Sequence, residues 1–303
     1  MDWKLSLAGL LIGLLVGMTG MGGGSLMTPL LVLVFGFKPT VAIGTDIVHG
    51  AIFKSFGAVQ HRRLGHVHAR MTAWMLLGSV PFSLVGVTVA WWLKNEYGDG
   101  FEDVAKDILG VSLIGCGIGF LVKAYLHHTA SDLPFILQRR DRAIALVTGV
   151  VGGFVVGLTS VGSGTIFGLV MMIAFPLTAA KIVGTDIFHA AILLTAAGAG
   201  HLVAGNVDLA ATGWLLIGSV PGVLMGGRMT VRLPDRALRV ALATTLTLAG
   251  VKLLEPPGDD AIVIVGIAAA AVAAVVALVR GRIRPARAAP QTAAEGTTRT
   301  SGR

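Results

Sequence analysis

Gly44-Thr45-Asp46-Ile47-Val48-His49-Gly50-Ala51-Ile52 recurs 140 residues on as Gly184-Thr185-Asp186-Ile187-Phe188-His189-Ala190-Ala191-Ile192. Working outward, Gly13–Gly86 aligns without gaps on Gly153–Gly226, with 26 identities in 74 positions. Gly78-Ser79-Val80-Pro81 returns as Gly218-Ser219-Val220-Pro221. His61, Thr72 and Trp74 return as His201, Thr212 and Trp214. Shared low complexity does not keep Trp, His and Pro at one fixed offset, so the chain contains an internal duplication.

Composition sets the solvent. Of 303 residues, 54% are hydrophobic and only 13% charged, with a mean hydropathy of +0.80. Soluble domains carry about 25% charged residues, so a soluble globular enzyme is excluded. Low charge with high apolar content excludes a disordered chain. Glycine, at 42 residues, is about twice the usual ~7% share and suits close helix packing in lipid. The single Cys116 excludes an internal disulfide and a Cys-based zinc cluster. The apolar N-terminus has no basic region beyond Lys4 and no small-x-small cleavage site, and it recurs later in the chain. It therefore reads as structure rather than a signal peptide.

A bilayer span needs roughly 17–25 apolar residues. Stretches of that kind fall at about 39–60, 71–93, 108–126, 179–201, 209–229, 237–254 and 261–279. Two more, about 3–35 and 143–175, hold the Gly-rich runs and are too long for one span and short for two. Loop charge sets orientation. Loop 61–70 has Arg62, Arg63 and Arg70 and no acid, while its repeat partner 201–210 has only Asp208. Loop 94–107 has two Lys and five acids, whereas its partner 228–239 has four Arg and one Asp. Corresponding loops thus belong on opposite sides, which makes the repeats inverted.

Inversion requires 143–175 to cross none or two times, so a re-entrant or broken hairpin with glycine at its tip is expected. The expected fold class is an all-α polytopic integral membrane protein with two inverted-topology repeats. Each repeat is a broken Gly-rich hairpin plus three transmembrane helices, and one further C-terminal helix follows. The expected units are an N-terminal repeat 1–126, a cytoplasmic linker 127–142 and a C-terminal repeat 143–254. An additional span 255–280 and a disordered Arg-rich cytoplasmic tail 281–303 complete the chain. This arrangement puts 18 Lys/Arg in the cytoplasm and 5 outside, with Lys54 inside a span. It places a multi-pass protein in the cell membrane, C-terminus cytoplasmic and N-terminus extracytoplasmic. The net charge of +8 is then a topology signal, and no nucleic-acid partner is implied.

Two tips are candidate substrate sites: Gly17-Met18-Thr19-Gly20-Met21-Gly22-Gly23-Gly24-Ser25 and Gly157-Leu158-Thr159-Ser160-Val161-Gly162-Ser163-Gly164-Thr165. Glycine permits a tight turn that exposes backbone N–H groups. A helix starting there points its positive end at the cavity. Together they bind an anion without a full charge. Thr19, Gly22, Gly23, Gly24, Thr159, Gly162, Ser163 and Gly164 are therefore candidate substrate-binding residues. Close helix crossing is the alternative use of the glycines. The Thr hydroxyls can equally bond back to their own helices.

Asp46 and Asp186 are the only acids inside the expected spans. An ionisable group there costs about 2.5–3.5 kcal/mol on insertion scales, which makes it a functional candidate. His49 and His189 follow three residues on, on the same helical face. Each Asp–His pair is a candidate proton relay or gate, with helix capping near Gly44 and Gly184 as the alternative. Lys54 has Leu194 as its repeat partner. It is either a substrate-attracting cation or a lysine snorkelling toward the cytoplasm. His61 and His201 stand at the two mouths as candidate gating residues, while Arg62 and Arg63 fix topology. Gly162-Ser163-Gly164 lacks the Gly-x-Ser-Gly pattern of rhomboid proteases, and Ser163 aligns with Gly23. No nucleotide-binding or zinc motif is present, so no catalytic residue, cofactor or metal is expected.

The paired Gly-rich tips, Gly-Thr-Asp-Ile, His-x-x-x-Gly-x-Val (His61–Val67 and His201–Val207) and Gly-Ser-Val-Pro resemble the TauE/SafE sulfite-exporter family. That family is also called the toluene-sulfonate uptake permease family. The resemblance covers roughly residues 5–254. It implies a permease or exporter of sulfite, sulfonates or related sulfur anions. Many members have Gly-Thr-Ser where this chain has Gly-Thr-Asp twice, a pattern similar to one subgroup. The two added carboxylates alter the charge of the site. The expected function is secondary transport of a small sulfur oxyanion, with proton coupling through the Asp–His pairs. The expected partners are that anion and the lipid bilayer, with a homodimer allowed. A divalent-metal transporter using Asp46, His49, Asp186 and His189 is the alternative. A membrane-embedded enzyme or receptor is a third reading.

Overall fold

A computed structural model describes residues 2–19, 24–98, 100–126, 135–229 and 235–255, with the side chains of residue 2, 17–25 and 227–238 left out. The expected span 261–279 and the Arg-rich tail lie outside the described residues.

Ten helices follow in order: α1 (Asp2–Thr19), α2 (Gly24–Leu33), α3 (Pro39–Arg63), α4 (Ala69–Tyr97), α5 (Gly100–Tyr125), α6 (Arg139–Thr159), α7 (Ile166–Ala174), α8 (Ala179–Val203), α9 (Leu209–Met229) and α10 (Asp235–Leu254). No strand occurs among the described residues. This is an all-α polytopic membrane protein. Five helices (α4, α5, α6, α8 and α9) are long and apolar enough to cross a bilayer. In α3 the same length carries Asp46, His49 and Lys54, which lowers its hydropathy without shortening it.

The stretch 3–35 becomes α1 and α2, and 143–175 becomes α6 and α7. Loop 94–107 is mostly helical, since α4 runs to Tyr97 and α5 begins at Gly100. Hydropathy marks only the hydrocarbon-facing part of a helix, and helical hydrogen bonding continues through the polar ends. Exposed Leu77, Phe82, Val111, Ile118, Val151, Ile173 and Ile217 form the apolar exterior that lipid requires. Exposed Trp91, Trp92 and Tyr97 cluster toward the end of α4, at the depth where amphipathic rings favour the interface.

The helices pack in exchanged pairs: α1 on α9, α4 on α6, α3 on α8 and α5 on α10. Small residues allow the close approach. A Cβ at Gly149, Gly153 or Gly157 would run into the backbone of Met75, Ser79 or Ser83, respectively. Its counterpart at Gly9 or Gly13 would run into Leu215 or Ser219. The advance by four on both members makes α4 and α6 parallel, and likewise α1 and α9. By contrast α3 and α8 are antiparallel, because Gly44 meets Asn206, Gly50 meets Leu194 and Gly57 meets Ile187.

These directions fix the second hairpin. α6 runs parallel to α4, and α8 starts beside the loop that precedes α4, with Gly184 against His66. The α6–α7 hairpin therefore enters and leaves at one end of the bundle. Its return arm α7 has nine residues, a rise of about 14 Å, roughly half a hydrocarbon core of about 30 Å.

Candidate functional site

The turn between α6 and α7 begins where Ser160 closes α6 in the left-handed conformation, at φ 62°. Gly162 and Gly164 follow at φ 111° and 102°, values that an L side chain resists. The Thr165 and Ile166 N–H groups then bond the Gly162 carbonyl at 3.1 and 3.0 Å, and α7 starts. The turn lies against α3. Ser160 Oγ donates to Asp46 Oδ2 at 2.8 Å, and Lys54 Nζ donates to Ser163 Oγ at 2.9 Å. Asp46 and Lys54 flank the middle of the 25-residue α3, so the turn sits at about mid-depth of the bundle. Broken helices are tolerated at that depth where protein covers them.

Asp46 takes a second hydrogen bond from Thr28 Oγ1 of α2 at 2.5 Å. Its other oxygen, Oδ1, faces His49 Nδ1 at 4.0 Å. Among the described residues neither of those two atoms has a hydrogen-bond partner, and the same holds for Asp186 Oδ1 and His189 Nδ1. On the far side of each ring a serine closes the contact: His49 Nε2 meets Ser219 Oγ at 2.8 Å, and His189 Nε2 meets Ser79 Oγ at 2.9 Å. Asp46, Asp186, His49, His189 and Lys54 are all at most 2% exposed. The aspartates do not cap helices. Thr178 caps α8, its side chain accepting from the Lys181 N–H, and α3 opens on Lys38 with Pro39 in its first turn.

The remaining candidates are more dispersed. Thr159 Oγ1 donates to Val155 O of its own helix at 2.8 Å and accepts from the Val161 N–H at 3.2 Å. His201 is buried, with Nε2 bonded to the Gly157 carbonyl at 2.9 Å. His61 lies at the opposite end, its ring centroid 5.7 Å from that of His66. His61 is outside the 39–60 stretch, and burial, with the neighbouring His66 second, holds its pKa below the ordinary imidazole value. Of the first-tip candidates, Gly22 and Gly23 lie outside the described residues, and only the backbone is described at Thr19 and Gly24.

The Gly-Thr dipeptides also hold the connecting loops. Thr45 Oγ1 accepts the Asp208 N–H at 3.0 Å, and Thr185 Oγ1 accepts the His68 N–H at 2.9 Å. Both bonds tie the start of one half's motif helix to the other half's loop.

Four residues were missed by sequence reasoning. Thr28 and Ser160 align with Gly168 and Gly20, so a search for repeated side chains passes over them. Ser79 and Ser219 belong to the repeated Gly-Ser-Val-Pro, which was visible, but nothing local named their histidine partners. A fifth is Lys123. Counting Lys54 as the one cation inside a span is corrected by Lys123, which is 4% exposed with Nζ 3.5 Å from Gly164 O. It stands three residues from the end of its apolar stretch, where a lysine ordinarily reaches for the interface.

A polytopic helical bundle with a helix break and ionisable side chains buried at its centre defines a membrane transporter. The comparisons agree. The chain belongs to the sulfite exporter TauE/SafE family, whose sequence profile matches residues 5–253. It is 37% identical over 256 residues to the probable membrane transporter protein YjnA of Bacillus subtilis, covering 84% of this chain and 100% of that one. It is 26% identical over 245 residues to the probable membrane transporter protein YdhB of the same organism, covering 80% and 96%. A 94-residue segment is 37% identical to sulfite exporter TauE/SafE family protein 1 of Arabidopsis thaliana, covering 31% and 21%. No solved structure matches.

Proposed function

We propose that this transporter moves a small sulfur oxyanion, sulfite or a sulfonate, by alternating access between two inverted repeats, 1–126 and 143–254. The observation that carries the substrate class is the Lys54–Ser163 contact at 2.9 Å. It sets a buried ammonium beside a glycine turn at mid-depth, where an oxyanion gains both a full charge and backbone donors. The substrate groups are Lys54, Ser163, and the N–H groups of Gly162 and Gly164, with Thr19, Gly22, Gly23 and Gly24 supplying the other tip. The name borne by the Arabidopsis relative supports the same class.

The inverted reading is supported by the antiparallel contact of α3 with its repeat partner α8. It is supported further by the exchanged packing of α1 on α9 and α4 on α6. In this reading the C-terminus is cytoplasmic and the N-terminus extracytoplasmic. The Asp46–His49 and Asp186–His189 pairs couple transport to protons or gate it. Each leaves one carboxylate oxygen and one ring nitrogen for a mobile proton. The metal reading has thinner support, because no three His, Cys, Asp or Glu side chains gather as a ligand set among the described residues.

The test is flux in proteoliposomes of labelled sulfite, sulfate, a sulfonate and a divalent metal ion, with and without a pH gradient. Sulfite or sulfonate flux that Lys54→Met abolishes supports the reading. Metal flux without anion flux overturns it. An Asp46→Asn/Asp186→Asn variant with an unaltered pH profile removes the proton-coupling part.

A further inference from the structure

The duplicated halves differ at a position beside the two aspartates. Position 28 is Thr and its repeat partner 168 is Gly. Thr28 donates to Asp46, and Ser160 donates to the same oxygen. Asp46 is thus held by two hydroxyls. In the other half no hydroxyl stands at 168, and the space where a Cβ of Gly168 would be is taken by Lys123. Its Nζ is 2.5 Å from that point, and Asp186 Oδ2 is 3.9 Å from it. Lys123 comes from α5, outside the pairs of corresponding helices that place the other candidates.

Lys54 and Lys123 approach the same turn from different helices. One reaches Ser163 Oγ and the other the Gly164 carbonyl. Two lysines, each at most 4% exposed, thereby converge on two consecutive residues of the helix break. With Asp46 and Asp186 ionised, the two cations and two anions balance. A buried site of that kind admits an external anion only where a resident anion gives way.

We propose that Lys123 is a second substrate-binding cation, paired with Lys54, and that Asp186 is the resident anion whose place the substrate takes. This rests on the oxyanion-transport reading and adds a division of labour to it. Asp46, fixed by Thr28 and Ser160, stays in place. Asp186, with Gly168 where the other half has the Thr28 hydroxyl, is the carboxylate that yields. A sulfonate or a sulfite has three oxygens to distribute. Lys54 Nζ, Lys123 Nζ and the Ser163 hydroxyl supply three donors from three elements.

The test uses the full chain in lipid nanodiscs, with equilibrium binding of labelled sulfite and of methanesulfonate as probes. Lys123→Met is expected to weaken binding at least tenfold while Lys123→Arg keeps most of it. Asp186→Asn is expected to tighten binding, since the resident anion is removed. The variant Lys123→Met/Asp186→Asn separates binding from charge balance, because it buries no unpaired charge. It is expected to elute as folded protein and to bind more tightly than Lys123→Met but more weakly than Asp186→Asn. Affinity in that double variant equal to that of Asp186→Asn overturns the proposal, leaving Lys123 a mere counter-ion to Asp186. Wild-type affinity in Lys123→Met overturns it too, with the oxyanion reading intact. A folded wild-type chain that binds neither probe overturns the oxyanion reading, and this inference with it.

Discussion

His49 Nε2 and Ser219 Oγ lie 2.8 Å apart, and the contact repeats between His189 and Ser79 at 2.9 Å. Each joins the Asp–His helix of one half to the Gly-Ser-Val-Pro helix of the other. Both rings are fully buried, so the hydroxyl fixes the ring that faces the carboxylate. Ser219→Ala leaves a buried ring nitrogen without a partner, a loss of about 1–3 kcal/mol. The apparent melting temperature in detergent should fall for Ser219→Ala and by a similar amount for Ser79→Ala. A fall in only one of them would show that the two contacts do not carry equal weight.

Asp46 should be more sensitive to its hydroxyl donors than its exposure suggests. Thr28 and Ser160 converge on one oxygen at 2.5 and 2.8 Å. Hydrogen bonds to a charged group contribute about 1.5–3 kcal/mol each. Thr28→Val preserves shape and removes one donor. Thr28→Val and Ser160→Ala should each lower thermal stability, and Asp46→Asn should shrink both effects in a double-mutant cycle. Equal losses in the Asp46→Asn background would place the cost elsewhere.

The helix contacts predict which glycines tolerate a methyl group. At Gly149 and Gly153 a Cβ meets the main chain of Met75 and Ser79, which cannot rotate away. Overpacking of that kind costs typically about 1–3 kcal/mol, and more where backbone is met. Gly115 and Gly213 are helical glycines where a Cβ would meet nothing within 4 Å among the described residues. Gly149→Ala and Gly153→Ala should cut the yield of monodisperse protein sharply. Gly115→Ala and Gly213→Ala should leave it unchanged or raise it, since alanine favours the helix.

The helical, membrane-spanning architecture was legible because lipid leaves few options: apolar length gives the spans, and fixed spacing gives the duplication. The Asp–His pairs were legible because an ionisable group inside an apolar span is costly wherever it appears. What stayed hidden were partners that depend on tertiary approach. Ser219 bonds a histidine 170 residues away, and nothing local announces it. Repetition itself misled at Thr28 and Ser160, because a search for shared side chains discards the positions where the halves differ; Lys123 was hidden by its place near the end of an apolar stretch, where a lysine ordinarily reaches for the interface. Helices α4 and α5 extend beyond the apolar stretches 71–93 and 108–126 for a separate reason. Asp and Glu mark where hydrocarbon stops, and the helix does not stop there.

His61, near the end of α3, gives a pH dependence whose sign is fixed. Burial, and next the nearby His66, lowers the His61 pKa from its ordinary value. Its Nδ1 has no hydrogen-bond partner. A base with a depressed folded pKa binds fewer protons folded than unfolded. Its unfavourable contribution is therefore absent above the unfolded value of about 6.5 and grows as pH falls below it. Thermal stability should drop between about pH 7 and 5, and the drop should be smaller in His61→Gln, where nothing titrates at that site. Unfolding by scanning calorimetry or a thiol-reactive dye on the buried Cys116 follows the change. An identical pH slope in wild type and His61→Gln would assign the dependence to other groups and leave the His61–His66 contact without a role in acid sensitivity.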